Sequence, residues 1–153
     1  MSVALDAPEL ERFLAESITA TVVTINPDGT PLPTPVWYLN RGAEIYFRTM
    51  RTSQKAKNIA RDPRVAVQVE AGHRYLELKA VIINGTAEET RDPEIKAWYK
   101  AERSRKYDHL APSMKAMPAA TQKHYSDPFV LYRVVPVKVK SWDNSKIRVA
   151  RKD

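Results

Sequence analysis

The chain contains no cysteine, so it can form no disulfide, carries no thiolate nucleophile and offers no sulfur ligand to a metal. Its three histidines, His73, His109 and His124, are scattered with no second ligand at helical or hairpin spacing, so no metal site is expected. No apolar run is long enough to span a bilayer. Where a signal peptide would need an apolar core, Met1 to Ser17 carries Asp6, Glu9, Glu11 and Arg12. Internal repeats and low-complexity linkers are missing too. Together these absences set the expectation of a cytoplasmic protein without a membrane span. Acidic residues are in the minority, 18 against 25 Lys and Arg, and the net charge of +7 suits an anionic partner. Nucleic acid, a membrane surface and a phosphorylated small molecule all meet that description.

A length of 153 residues is that of one domain, and a barrel of this size often needs a second copy to cover its apolar faces. A single domain over 1–153 is therefore expected, as a dimer. Asp6-Ala7-Pro8-Glu9 has the form of a helix start, with Asp6 as N-cap, so residues 1–17 contain an N-terminal helix whose Leu10, Phe13 and Leu14 share a face. Ile18 to Ile25, the turn Asn26-Pro27-Asp28-Gly29 and Thr34 to Asn40 form a hairpin pattern. In the next strand Ile45, Phe47 and Thr49 alternate with Tyr46, Arg48 and Met50, which points Arg48 away from the apolar side. After a helix on which Ala56, Ile59 and Ala60 pack inward, Val65, Val67 and Val69 alternate in a fourth strand. Tyr75 to Ala87 forms a fifth, with a bend at Gly85. Asp92-Pro93 starts another helix. Residues 91–127 read as a helical or flap insertion broken at Pro112 and Pro118, with Met114 and Met117 suited to an adaptable apolar lid. Phe129 to Trp142 is the last strand, with Val137 and Val139 opposing Lys138 and Lys140, and Ala150 to Asp153 is a frayed tail.

The most informative stretch runs from Arg48 to Arg64. Six cations, Arg48, Arg51, Lys55, Lys57, Arg61 and Arg64, face a lone Asp62 across a strand, a short turn and a helix that Ser53 is placed to cap. First-turn N–H groups lack internal partners and carry the positive end of the helix dipole, worth about 0.3–1 kcal/mol to a nearby anion. Phosphate fits this field. The cations gather at one helix start and do not form an aromatic-interleaved strand face, which argues against nucleic acid.

Antiparallel strands with a helix between the third and fourth indicate a mainly β, Greek-key barrel with peripheral helices. Thr21-Val22-Val23-Thr24-Ile25, Pro27-Asp28-Gly29, Pro35-Val36-Trp37-Tyr38, Ile45 to Thr49, Ser53 to Asn58 and Arg61 to Val65 resemble, in order and spacing, the flavin and deazaflavin oxidoreductases of the pyridoxamine-phosphate-oxidase-like superfamily. Val134 to Asp143 is similar to the closing strand of that superfamily. The resemblance implies a homodimer of six-stranded split β-barrels (the FMN-binding split barrel), with a flavin-type cofactor at each subunit interface and a small-molecule substrate. It implies that Pro35, Val36, Trp37 and Tyr38 line the ring system. Arg48, Thr49, Ser53, Gln54 and Lys55, with Lys57 as an addition, hold the phosphate-bearing tail, and Trp142 approaches from the partner subunit. Enzymes that oxidise pyridoxamine phosphate with FMN place Arg, Lys and Arg where this chain has Pro33, Tyr38 and Gln54. Val36-Trp37-Tyr38, Ser53 to Ala56 and Ser141-Trp142-Asp143 are more similar to the branch that uses coenzyme F420. The expectation is thus an F420-dependent hydride-transferring oxidoreductase, with an FMN enzyme and a non-catalytic flavin or haem binder as alternatives. Residues that move protons stay unassigned; Tyr38 and the Tyr107-Asp108-His109 segment are candidates.

Overall fold

The computed structural model describes residues 2–149; the expected tail at Ala150 to Asp153 lies outside them. Six antiparallel strands close into a barrel in the order β1-β2-β3-β6-β5-β4. Two meanders build it: β1 (Thr19–Ile25), β2 (Pro31–Arg41) and β3 (Glu44–Met50), then β4 (Arg64–Ala71), β5 (Lys79–Glu89) and β6 (Phe129–Asp143). Helix α2 (Gln54–Arg61) carries the chain between them. The mainly β barrel with peripheral helices is the expected fold.

Alternation fills the interior, where Val22, Val67, Val81, Ile45, Ile83, Phe47 and Val134 are fully enclosed. At about 25 cal/mol per Å² of apolar surface removed from water, this packing drives closure. Helix α1 (Ala7–Glu16) closes one end. Asp6 accepts from Glu9 N–H while the Glu9 carboxylate accepts from Asp6 N–H, the reciprocal capping box expected there. Leu14 is fully buried, and its carbonyl accepts from the hydroxyl of Tyr38, which lies inside the barrel.

Helix α2 closes the opposite end with Ala56 and Ile59, but Ala60 is exposed, contrary to the expected packing face. Asn58 takes the third inward place. Its amide donates to Thr24 Oγ1 and Asn26 Oδ1, both at 3.0 Å, and its oxygen accepts from Gln54 Nε2 at 2.9 Å. A buried amide so satisfied ties α2 to β1 and its turn.

Strand β2 begins three residues before the expected Thr34 and runs through Pro31, Pro33 and Pro35. The N–H and C=O of Tyr38 lie on the β1 side, where Tyr107 Oη accepts from the N–H at 3.0 Å and stands 2.7 Å from the C=O and 2.8 Å from the Ile18 C=O. Peptide groups alternate along a strand, so the three prolines place their missing donors on the other edge. That edge is unpaired: β2 meets β3 only from Tyr38 to Arg41. Proline is tolerated in such a position. Register shifts between Asn84 and Gly85, the expected bulge, where an added Cβ would meet Val135 O at 2.2 Å.

Helix α3 (Pro93–Tyr107) packs on the outer face of β2, β3 and β6 through a second cluster of Tyr99, Tyr107, Leu39, Tyr46 and Leu131. Beyond it, 3-10 turns at Asp108–Leu110 and Met114–Ala116 and the short helix α4 (Ala119–His124) make up the rest of the segment before β6. Tyr75–Glu77, expected as strand, is a 3-10 turn, because Gly72 at φ 96° and the Glu77 carboxylate facing the His73 and Arg74 N–H groups bend the chain first. Both Val137, 79% exposed, and Val139 face out, so on this stretch of β6 neither side is covered.

Replacing Asn58 with Ala leaves the Thr24 and Asn26 side chains without this partner and should cost about 1–3 kcal/mol in urea unfolding; an unchanged midpoint would show that the network holds nothing. Lys106 lies with Nζ 4.5 Å from the Tyr38 ring, and burial pushes its pKa down to about 8. Below its unfolded value of about 10.4 the unfolded lysine binds the proton that the native one gives up, so stability should rise from about pH 8 to about pH 10. Lys106→Met should remove that rise, and a variant with the wild-type slope would exclude Lys106 as its source.

Candidate functional site

Where β2 and β3 part, a cavity of about 960 Å³ opens. Pro35, Val36 and Trp37 of β2 form one wall and Arg48 of β3 the other, with Lys55 at the start of α2. Tyr99 and Arg103, one turn apart on α3, join Phe129 of β6. The insertion supplies the remaining wall, including Leu110, Met114, Met117 and Tyr125. That volume is near the top of the usual range of about 300–1,000 Å³ for small-molecule sites.

Position at the strand end and the cap of α2 set the local geometry. Ser53 Oγ accepts from Ala56 N–H at 3.2 Å and lies 3.0 Å from Thr49 Oγ1. Ser53 C=O accepts from Lys57 N–H, while no hydrogen bond from the N–H of Gln54 or Lys55 is present among the described residues. Those two donors sit at the positive end of the helix beside the cavity.

The cationic field is narrower than the sequence suggests. Arg51 pairs with Glu89 at 2.6 Å, Arg64 pairs with Asp62 at 2.7 Å, and Arg61 donates to the Ile25 carbonyl and to Asn58. Arg48, Lys55 and Arg103 enter none of the ion pairs among the described residues. Arg48 lies over the Phe129 ring at 4.2 Å, reachable by water from the open cavity but crowded by its walls. Partial burial, and then the neighbouring Arg103 guanidinium, pull its pKa below the usual arginine value. Burial alone lowers that of Lys55. An anion entering here would relieve both effects.

Trp37 stacks on Tyr107, centroids 4.6 Å apart and planes inclined by 13°, with the Arg103 guanidinium 5.8 Å from its ring. Burial pushes the Tyr99 hydroxyl up, while the Arg48 and Arg103 charges pull it down.

Of the residues singled out in the sequence, Pro35, Val36, Trp37, Arg48 and Lys55 meet at this cavity, with Thr49 and Ser53 at its helix start. Gln54 directs its amide to Asn58. Lys57 is exposed and is not part of the lining. The Tyr38 hydroxyl is held inside the barrel, where burial raises its pKa, so it does not serve as the cavity's proton donor. Trp142 pairs with Ala80 near the far end of β6, up to roughly 40 Å along the strand from Phe129 at about 3.3 Å per residue. Within one protomer it is remote from the cavity. Sequence reading missed Tyr99, Arg103 and Phe129; α3 is charged on several faces, and nothing in its pattern separates Arg103 from Lys100 or Arg105.

Among the described residues, no helix is long and apolar enough to cross a membrane, and no cluster of three potential ligands could hold a metal ion.

A comparison with curated proteins finds no match. Among solved structures, a hypothetical protein from Mycobacterium tuberculosis is 28% identical with a TM-score of 0.78, over 99% of this chain and 95% of that one. An F420 reductase matches at 24% identity and a TM-score of 0.61, over 84% of this chain and 94% of that one. An FAD-binding protein from Mesorhizobium loti matches at 23% and 0.62, over 90% and 93%. These last two likenesses speak for the fold alone. The family model described as pyridoxamine 5'-phosphate oxidase matches residues 7–143, which span all six barrel strands. By that match the chain belongs to the pyridoxamine 5'-phosphate oxidase family, within a superfamily of flavin-binding oxidoreductases.

Proposed function

We propose that this chain, one domain over 1–153, is a cytoplasmic oxidoreductase that binds the deazaflavin coenzyme F420 and exchanges a hydride with a small unsaturated or conjugated organic substrate. The observation that carries the reading is the pair of Arg48 and Lys55, partly withdrawn from water and without a carboxylate partner, beside a helix start with two uncommitted N–H groups. An anionic phosphate meets all of these groups at once. In this reading Arg48, Lys55, Thr49 and Ser53, with the first turn from Gln54, hold the tail, and Lys57 adds to the field from outside. Pro35 to Trp37 bound the ring, whereas Tyr38, whose backbone groups meet Tyr107, does not.

The residues present fit such a group: the cavity brings the cations Arg48, Lys55 and Arg103 together with the rings of Trp37, Tyr99 and Phe129. When bound, the reduced deazaflavin supplies a hydride equivalent. The chain fixes its orientation through the tail, excludes water with Trp37, Phe129 and the insertion, and stabilises charge that builds on the acceptor. The uncovered Val137 and Val139 favour a second copy against β6, in which the partner's Trp142 would close the site. Gln54, spent on Asn58, gives the phosphate no further cation, which favours the deazaflavin over FMN. FMN is the second reading, and it would make the purified protein yellow.

Titrating the cofactor-free protein with F420 and with FMN, followed by cofactor fluorescence, should give micromolar or tighter binding of F420 and weaker binding of FMN. Binding of neither in that range would end the reading. Lys55→Ala should weaken F420 roughly tenfold to a hundredfold, the value of one hydrogen bond to a charged group; an unaltered affinity would take Lys55 out of the site.

A further inference from the structure

Ten large apolar side chains remain exposed among the described residues, and four of them, Leu110, Met114, Tyr125 and Phe129, line this one cavity. Scattered exposed apolar residues need no cause, but a group gathered around one opening marks a surface that something covers. Three of the four belong to the insertion, and the fourth, Phe129 of β6, lies under Arg48. On the same side α3 presents Arg103, half-buried beside the Trp37 ring and close enough to Arg48 to depress its pKa. Its neighbour Glu102 is committed to Arg105 at 3.0 Å. Asp108 also lines the cavity without pairing with Arg103. A guanidinium left without a counter-ion in an apolar, partly dried wall favours a planar anion, because its fork matches a carboxylate and the field around it is uncompensated.

We infer that Arg103 selects the substrate: the second half of the cavity takes a flat apolar acid, its carboxylate on Arg103 and its body between Trp37 and the side chains of Leu110, Met114 and Phe129. This assignment rests on the reading of Arg48, Lys55 and the α2 start as the cofactor's hold. Arg103 is then a specificity residue that binds substrate and takes no part in gripping the cofactor tail. Met114 allows occupants of different outline, since an unbranched thioether adapts its shape. Exclusion of a neutral analogue follows from the guanidinium, which would lose its hydration and gain no charge in return.

The probes are 2-naphthoate and the isosteric 2-naphthamide, titrated calorimetrically into the protein with and without F420. Wild type should prefer the acid by roughly tenfold to a hundredfold, the range for one charge-assisted contact. Arg103→Gln should abolish the preference, Arg103→Lys should restore part of it, and Lys55→Ala should leave it in place. F420 affinity should stay within about twofold in Arg103→Gln. Equal binding of acid and amide by wild type, or a preference that survives in Arg103→Gln with its unfolding midpoint intact, would overturn the inference. So would an Arg103→Gln variant as impaired in F420 binding as Lys55→Ala, since Arg103 would then belong to the tail. Should wild type bind neither flavin-type cofactor, the oxidoreductase reading fails separately, and the acid preference is still read on the free protein.

Discussion

Withdrawing an ammonium or a guanidinium from water costs free energy that only a nearby anion returns, and at this cavity the lining carboxylate, Asp108, pairs with none of the cations. Lys55 is half-buried and Arg48, though exposed to the open cavity, is crowded by its walls, and neither has a carboxylate in an ion pair. Elsewhere the molecule compensates its charges readily: Glu44 holds Arg133, Asp143 holds Lys79, and Glu89 serves both Arg51 and Arg91. Leaving Arg48 and Lys55 without a carboxylate beside a helix start is the constraint from which the binding account follows.

The barrel creates that place by failing to pair fully. Strands β2 and β3 share four residue pairs before β3 turns to β6 and β2 stays with β1. Three alternating prolines strip donors from the edge so exposed, which keeps it from recruiting another strand. Into the gap the molecule brings two fixtures. Helix α2 is tied to the barrel rim by Asn58, and α3 is tied to the β1–β2 edge by the Tyr107 hydroxyl. Cations on both helices therefore hold their positions relative to a rigid sheet, as a site that must align a ring and a substrate requires.

Much of this was legible in the chain itself, because the signals were local. Asp6 and Glu9, Ser53 at its strand-to-helix turn, the 27–29 turn and the alternation through β3 and β4 each specify a structure within a few residues. What was not legible depends on distant partners. Whether Arg51, Arg61 or Arg64 is available is decided by Glu89, by the Ile25 carbonyl and by Asp62, and only the last is near its partner in sequence. Arg103 gains its meaning from where the Tyr99–Tyr107 cluster seats α3. Asn58, not Ala60, takes the inward place because Thr24 and Asn26, more than thirty residues away, meet its amide. The early start of β2 was hidden because proline opposes strands in general and is harmless on an unpaired edge.

The central claim concerns the charge on the cofactor's tail, and it is tested most directly by removing that charge from the ligand. Affinities of the purified protein for F420 and for its dephosphorylated chromophore, measured side by side at one ionic strength, isolate the contribution of the tail. The account predicts that the charged form binds at least tenfold more tightly at low salt, with the gap narrowing as salt screens the exposed part of the field. Equal affinities, unmoved by salt, would mean that Arg48, Lys55 and the start of α2 do not hold the anion, and the account would be wrong.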